Sequence, residues 1–239
     1  RARRQHLLVS SYHGHPEEQG EALRAMRGRV DGLLVLSPYT DQPGFLVDNL
    51  PSSLPVVLIN SDVQDATYPT LTIDNYSAAV AMVEHLVQAG HRRIAFIGGP
   101  EGNFDARERL RGYRDALARL APEAPPQEFA GDFSETAGYE AGKRIAQAAH
   151  RPQAVFAAND MMALGCLYAF NEAGVRVPQD IALAGFDDIP LARFVHPTLT
   201  TMRVSIAELG GQAMSRLLET IESDGARVAP SAMLTPELI

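Results

Sequence analysis

Residues 153–188, QAVFAANDMMALGCLYAFNEAGVRVPQDIALAGFDD, decide how this chain folds. Gln153 to Ala158 is an apolar run of strand length, broken by Asn159-Asp160. Beyond the break Met161, Leu164, Leu167 and Tyr168 recur at the spacing of one helical face, so the segment reads as strand, turn and helix. Asp160 reads as the N-cap, because its carboxylate can accept the free N–H groups of the first turn and oppose the positive end of the helix dipole. Gly174 ends the helix, Pro178 bars its continuation, and Ile181 to Gly185 begins a second strand that runs into Phe186-Asp187-Asp188. Both strands are apolar throughout, as strands covered on two faces are, which makes them parallel neighbours across the helix. Asn159 and Asp187 then leave the sheet at the same carboxyl edge, where open α/β sheets bind small molecules.

The rest of the chain repeats this pattern. Strands are expected at Leu7–Ser11, Gly32–Leu36, Pro55–Asn60, Thr70–Ile73, His91–Gly98, Gln127–Ala130, Leu199–Met202 and near Ala232–Ile239. Helices are expected at 17–28, 43–50, around Val80, Val83, Leu86 and Val87, at 105–120, at 135–149 and at 205–222. The last of these carries Ile206, Leu209, Ala213, Leu217 and Ile221 on one face. Alternation of this kind means α/β architecture, with parallel sheets covered by helices on both faces. No repeat of 20 to 50 residues is visible.

Two sheets are expected. The first set of strands ends at Ile73, the second begins at Arg93, and the polar Asp74-Asn75 marks the bend between them. A helix returning at 205–222 and a final strand crossing again give two lobes joined by three crossovers. The first lobe is 1–73 plus about 203–223, and the second is 74–202 plus about 224–239.

Composition bounds the function. The chain has 239 residues, 46% of them hydrophobic, enough for a large core. Its net charge of −8 argues against a free-standing nucleic-acid surface, which needs clustered Lys and Arg. Cys166 is the single cysteine and lies on the apolar side of its helix, so no disulfide framework exists and a reducing compartment is favoured. No apolar run approaches the roughly 18 residues of a membrane span, and RARRQHLLVSS lacks the apolar core of a signal peptide.

The candidate site follows from the chemistry of a polyol, whose hydroxyls each donate and accept beside apolar C–H faces. Such a ligand calls for amides, carboxylates and an aromatic ring in one cleft. Asn60, Asn159 and Asp187 lie just past strands, Arg109 is placed in the first turn of its helix, and Phe133 follows Gly131-Asp132 in a loop. Each has a plainer reading. Asn159 is also a helix cap, Asp187 or Asp188 a helix-start acid, Arg109 one of several solvated arginines, and Phe133 a core residue. Gly98-Gly99-Pro100-Glu101-Gly102 fits neither the dinucleotide nor the Walker spacing. His13-x-His15 lacks further metal ligands nearby, and no G-x-S-x-G elbow or serine with evident His and Asp partners exists. No cofactor, metal site or catalytic activity is expected.

Eight segments in order also resemble the effector-binding core of the LacI/GalR (lactose/galactose repressor) family. They are VDGLLVLSP (30–38), LPVVLIN (54–60), IDNYSAA (73–79), GHRRIAFIGGP (90–100), RERLRGYRDAL (107–117), AANDMMALG (157–165), GVRVPQDIALAGFDD (174–188) and PTLTTM (197–202). The resemblance implies a two-lobed periplasmic-binding-protein-like (type I) fold with the effector cleft between the lobes. It carries the family's effector positions onto Asn60, Arg109, Phe133, Asn159 and Asp187, with Asn60 standing where several relatives have Asp. It further implies a sugar-like effector, a cytoplasmic homodimer, no membrane, and operator binding through an N-terminal helix-turn-helix that this sequence lacks. By the same comparison the first strand and helix of the core are missing, and the other end stops early at LTPELI. A periplasmic sugar-binding protein of a transport system is the alternative.

Overall fold

In the computed structural model the described residues are 6–11, 16–37, 48–50, 54–61, 68–223 and 230–239. They form two compact units. The first is residues 1–72 with 207–232, the second is 73–206 with 233–239, and the chain passes between them three times.

In the first unit, α1 (Pro16–Met26) precedes β1 (Leu33–Leu36), β2 (Val56–Ile59) and β3 (Thr70–Ile73). β1 and β2 are parallel, with Leu33 opposite Val56, and β2 and β3 are parallel, with Leu58 opposite Thr70. Leu23, Leu33, Val35, Leu50, Val56 and Leu58 make the core. The unit's long helix, α6 (Ile206–Glu222), buries Leu209, Ala213 and Leu217, whereas Ile206 is 65% exposed and so leaves the face expected for it. Gly32 lies where a Cβ would stand 2.8 Å from Leu217 and 3.2 Å from the Pro55 carbonyl oxygen.

The expected strand at Leu7–Ser11 does not form. Residues 6–11 carry no ladder bonds, and Leu7 and Val9 are 75% and 77% exposed. Its residues have the right character, but a strand exists only where another strand pairs with it. They line a groove of about 1090 Å³ beside β1, walled by Leu23 and Met26 of α1 and by Leu217 and Ile221 of α6. The helix expected at 43–50 falls largely outside the described residues.

The second unit follows the expected alternation. Its elements are α2 (Asn75–Gln88), β4 (Ile94–Ile97), α3 (Phe104–Leu120), β5 (Gln127–Phe129), α4 (Glu135–Gln147), β6 (Ala154–Ala157), α5 (Asp160–Glu172) and β7 (Ala182–Ala184). A short 3-10 turn (Pro190–Arg193), β8 (Met202–Arg203) and β10 (Glu237–Leu238) complete it, while β9 (Ala232–Leu234) joins the first sheet next to β3. The second sheet runs β5-β4-β6-β7, all parallel, with Ile94 opposite Ala154 and Ala154 opposite Ala182. Every residue of β4 and β6 is buried, as apolar central strands require. The Phe96 ring stacks on Tyr113 at 4.9 Å and meets Phe156 edge-on at 5.2 Å.

Three local expectations need correction. Asn159, not Asp160, caps α5. Asn159 keeps extended backbone angles and accepts the Met162 N–H at 2.9 Å, while Asp160 is already helical. The buried residues of α5 include Met162, Ala163, Gly165, Cys166, Leu167, Ala169 and Phe170, so Leu167 keeps its expected place while Tyr168 is 60% exposed. Gly165, Cys166 and Ala169 lie against α4 because the two helices touch backbone to backbone. A Cβ at Gly138 would lie 2.1 Å from the Met162 carbonyl oxygen, and one at Gly165 would lie 1.9 Å from that of Glu135. The terminal strand divides into β9 and β10, and β10 pairs antiparallel with β8, so one short ladder departs from the parallel rule.

Candidate functional site

β4, β6 and β7 deliver their loops to one carboxyl edge of the second sheet. After β4 the loop Gly98–Asn103 turns into α3, with Asn103 accepting the Ala106 N–H at 3.0 Å. α3 carries Arg109 inward in its second turn, one turn later than expected. Only 6% of the Arg109 side chain is accessible. Its Nε donates to Asn75 Oδ1 at 2.8 Å, its Nη1 donates to the Ala158 carbonyl at 2.5 Å and faces Asp187 at 3.5 Å, and its plane lies 3.7 Å from the Phe186 ring centroid. Among the described residues nothing bonds Nη2, and no side-chain nitrogen or oxygen is both buried and unpartnered, so Nη2 is the accessible donor of this group.

Asp187 leaves β7 with φ of 113°, beside Asp188 at 55°, both in the left-handed region that costs non-glycine residues about 1 kcal/mol or more. Two opposite fates result. Burial raises the Asp187 carboxyl to about 6, against the pull of Arg109 and with Asp160 and Asp105 adding to the rise, yet a third of its side chain stays accessible. Asp188 is 3% accessible, and against its own burial Arg203 at 2.6 Å and Arg193 at 3.0 Å hold it below the usual carboxylate range. Asp188 thus fastens the loop while Asp187 presents a carboxylate. Asp160 fastens it from beneath, accepting from the Thr201 hydroxyl at 2.7 Å and from the Ile189 N–H at 2.9 Å; burial pushes its pKa up. Burial also lowers the Arg109 pKa, with Asp187, Asp105 and Asp160 opposing the fall.

Phe133, with φ of 70°, brings its ring against Gly99 and within 5.8 Å of the Arg109 guanidinium. A Cβ on Gly99 would sit 2.6 Å from that ring, so glycine there is what lets the ring lie over the loop. Asn159 spends one end of its amide on the α5 cap and the other on the Phe133 carbonyl, at 3.0 Å. The plainer reading of Asn159 as a cap therefore holds, and the same side chain also positions Phe133.

Four of the five candidates, Arg109, Phe133, Asn159 and Asp187, are thus linked by contact in the second unit. Asn60 belongs to the first, past the end of β2, where it is buried, has φ of 46° and donates its N–H to the Leu71 carbonyl at 2.9 Å. Sequence reasoning missed Asn75 and Phe186, which hold Arg109. Their signal was present, since Asn75 stands in the polar bend after β3 and Phe186 immediately before Asp187. The His13-x-His15 pair falls outside the described residues; among those described, no three His, Cys, Asp or Glu side chains cluster as a metal site would.

A donor on a buried guanidinium, a carboxylate acceptor beside it and an aromatic face can together hold a hydroxyl-rich ligand. The periplasmic binding protein-like domain model matches residues 83–239. The ribose operon repressor of Escherichia coli (strain K12) is 36% identical over 217 residues, which are 90% of this chain and 66% of that protein. The chain therefore spans just under two thirds of the length of that relative. Among solved structures, the lac repressor dimer bound to operator and the anti-inducer ONPF superposes with a TM-score of 0.82 at 28% identity, covering 94% of this chain and 78% of the other. A complex of the transcriptional regulator CelR with cellobiose gives 0.79 at 29% identity, covering 94% and 68%. Among the described residues no helix is long and apolar enough to cross a membrane.

Proposed function

The chain belongs to the LacI family of transcriptional repressors, of which it carries the periplasmic-binding-protein-like core, and on that premise we propose that it senses a small polar effector, a sugar or sugar derivative. The observation that carries this reading is the Arg109–Asp187 pair beside the Phe133 ring. Nη2 of Arg109 donates to a ligand oxygen, Asp187 accepts from the hydroxyl, and Phe133 takes a C–H face. Asn159 contributes by holding the Phe133 backbone, and Asn60, which the family resemblance also marks as a ligand contact, is tested on its own. The cellobiose complex of CelR supports the choice of ligand class. In the whole protein, effector binding shifts operator affinity by a coupling of typically ~1–3 kcal/mol, and linkage makes the effect reciprocal. Operator binding belongs to a helix-turn-helix region outside these 239 residues, in a cytoplasmic homodimer. The lac repressor structure, a dimer on its operator, supports that assembly, and relatives named as repressors support a regulator over a transport protein or an enzyme.

The direct test is a thermal-shift screen of pentoses, hexoses, disaccharides, nucleosides and sugar phosphates. A ligand at 100 times its dissociation constant adds ~2.7 kcal/mol, a rise of roughly 5–10 °C for a chain of this size. Calorimetry with Arg109→Ala and Asp187→Ala then locates the site, and both variants should weaken binding by at least about tenfold. Unchanged affinity in both removes the assignment, and turnover of the ligand would make the chain an enzyme. Asn60→Ala is scored separately.

A further inference from the structure

Arg109 is useful to a ligand only if its guanidinium keeps one orientation, and the restraint on its Nε comes from a residue on another helix. Asn75 is the first residue of α2, directly past the segment where the chain enters the second unit, and is 1% exposed. Its Oδ1 accepts from Arg109 Nε at 2.8 Å. Its Nδ2 donates to Asp105 Oδ1 at 2.7 Å and to the Ile73 carbonyl at 3.3 Å. Asp105 and Arg109 stand one turn apart on α3, so the amide is inserted between an acid and a base of the same helix.

The amide cannot flip. Arg109 Nε is always a donor and the Asp105 carboxylate an acceptor, so Oδ1 must face Arg109 and Nδ2 must face Asp105 and the Ile73 carbonyl. Aspartate, leucine and alanine do not do the same work there. Aspartate keeps the acceptor for Arg109 but sets a carboxylate against Asp105 and loses the donor to Ile73. Leucine has neither group, and alanine reaches neither partner. The other restraints on Arg109 are weaker guides to direction, because the Ala158 carbonyl and Asp187 both engage Nη1 and Phe186 fixes only the plane.

We propose that Asn75 is the positioning residue of the effector site, holding Arg109 through Nε so that Nη2 faces the ligand and Nη1 faces Asp187. This rests on the effector reading for its consequence, but the orientation of Arg109 can be measured without any ligand. The Arg109 Nε–H, assigned by its loss in Arg109→Lys, is followed by nitrogen-edited NMR in the native protein and its variants. In Asn75→Ala its exchange with water speeds by about tenfold or more, as expected for a buried donor that has lost its acceptor. The swap Asn75→Asp with Asp105→Asn restores an acceptor facing Arg109 and a donor facing residue 75, so protection returns. An Arg109 Nε–H equally protected in wild type and Asn75→Ala overturns the proposal, as does a swap that folds yet stays unprotected.

A second arm uses D-ribose as the probe. If wild type binds it, Asn75→Ala should weaken binding by about tenfold. The swap should recover it, and Tyr113→Phe, which disturbs the core away from the site, should leave it unchanged. Equal loss in Tyr113→Phe would mean that Asn75 acts only through stability, and would refute the positioning role. If no polyol binds wild type, the effector reading fails while the exchange measurement still decides the role of Asn75.

Discussion

Alanine at Gly165 and alanine at Gly211 should move stability in opposite directions. Both glycines lie inside helices, where replacing glycine with alanine by itself stabilises by about 0.8–1.0 kcal/mol. At Gly211, on α6, an added Cβ meets nothing within 4 Å, so the whole gain should appear. At Gly165 the Cβ would stand 1.9 Å from the Glu135 carbonyl oxygen, 2.8 Å from the Tyr139 nitrogen and 2.9 Å from the Glu135 carbonyl carbon. All three are backbone atoms of α4 or its first turn, so no side chain can swing aside. The helices must separate by roughly 1 Å, loosening the contacts of Ile145, Met162 and Cys166, all fully buried. Overpacking of this kind costs ~1–3 kcal/mol, and a backbone obstacle places it at the upper end. Net of the propensity gain, Gly165→Ala should lose ~2 kcal/mol while Gly211→Ala gains ~1 kcal/mol. Urea unfolding followed by circular dichroism reads both from the midpoint, with an unchanged slope showing that the same surface is exposed. A Gly165→Ala protein as stable as Gly211→Ala would mean that α4 and α5 do not approach as described.

Other consequences concern single groups. Because the folded-state Asp187 carboxyl titrates near 6 and an unfolded one near its ordinary 3.8, the native chain holds the extra proton between those values. Its contribution to stability therefore falls as pH rises through that window and levels off above it. Asp187→Asn should flatten this part of the urea-midpoint profile; identical profiles at pH 4, 5, 6 and 7 would count against the buried-carboxylate account. Cys166 is fully buried and its thiol is pushed up by that burial, so a disulfide reagent should titrate one thiol only after unfolding. Rapid reaction in the native protein would contradict its placement. Tyr113→Phe should cost ~1–2 kcal/mol, because the hydroxyl donates to the Ile94 carbonyl at 2.8 Å and accepts from Gln127 N–H at 3.3 Å between α3 and the sheet. An unaltered urea midpoint would show that these bonds contribute nothing.

Much of the second unit was legible because its signals are local. The apolar runs of β4, β6 and β7 are read residue by residue, and the two carboxyl-edge positions Asn159 and Asp187 follow from where the runs stop, although the expected cap of α5, Asp160, lies one residue late. Properties that depend on a partner were not legible. Leu7–Ser11 has strand composition but no ladder, and Ile206 and Tyr168 have apolar character yet face outward. On α5 the apolar spacing grouped Tyr168 with Leu167, yet only Leu167 is buried, and the side against α4 is taken by Gly165, Cys166 and Ala169, which admit its backbone. In the site, Arg109 and Asp187 were visible as candidates, but the restraints on them, Asn75 thirty-four residues before one and Arg203 fifteen after the neighbour of the other, appear only once the chain has folded.

Every non-glycine residue given a positive φ among the described residues, Asn60, Phe133, Asp187 and Asp188, is one of the proposed ligand contacts or adjoins one. Anyone seeking to retune effector preference by randomising these codons meets a backbone filter before any question of affinity. Valine, isoleucine and threonine resist the left-handed region, so full randomisation would fill a library with loops that cannot close, whereas glycine, asparagine and aspartate keep the turn. Diversity is better spent on neighbours with ordinary backbone geometry that hold neither Arg109 nor Phe133 in place.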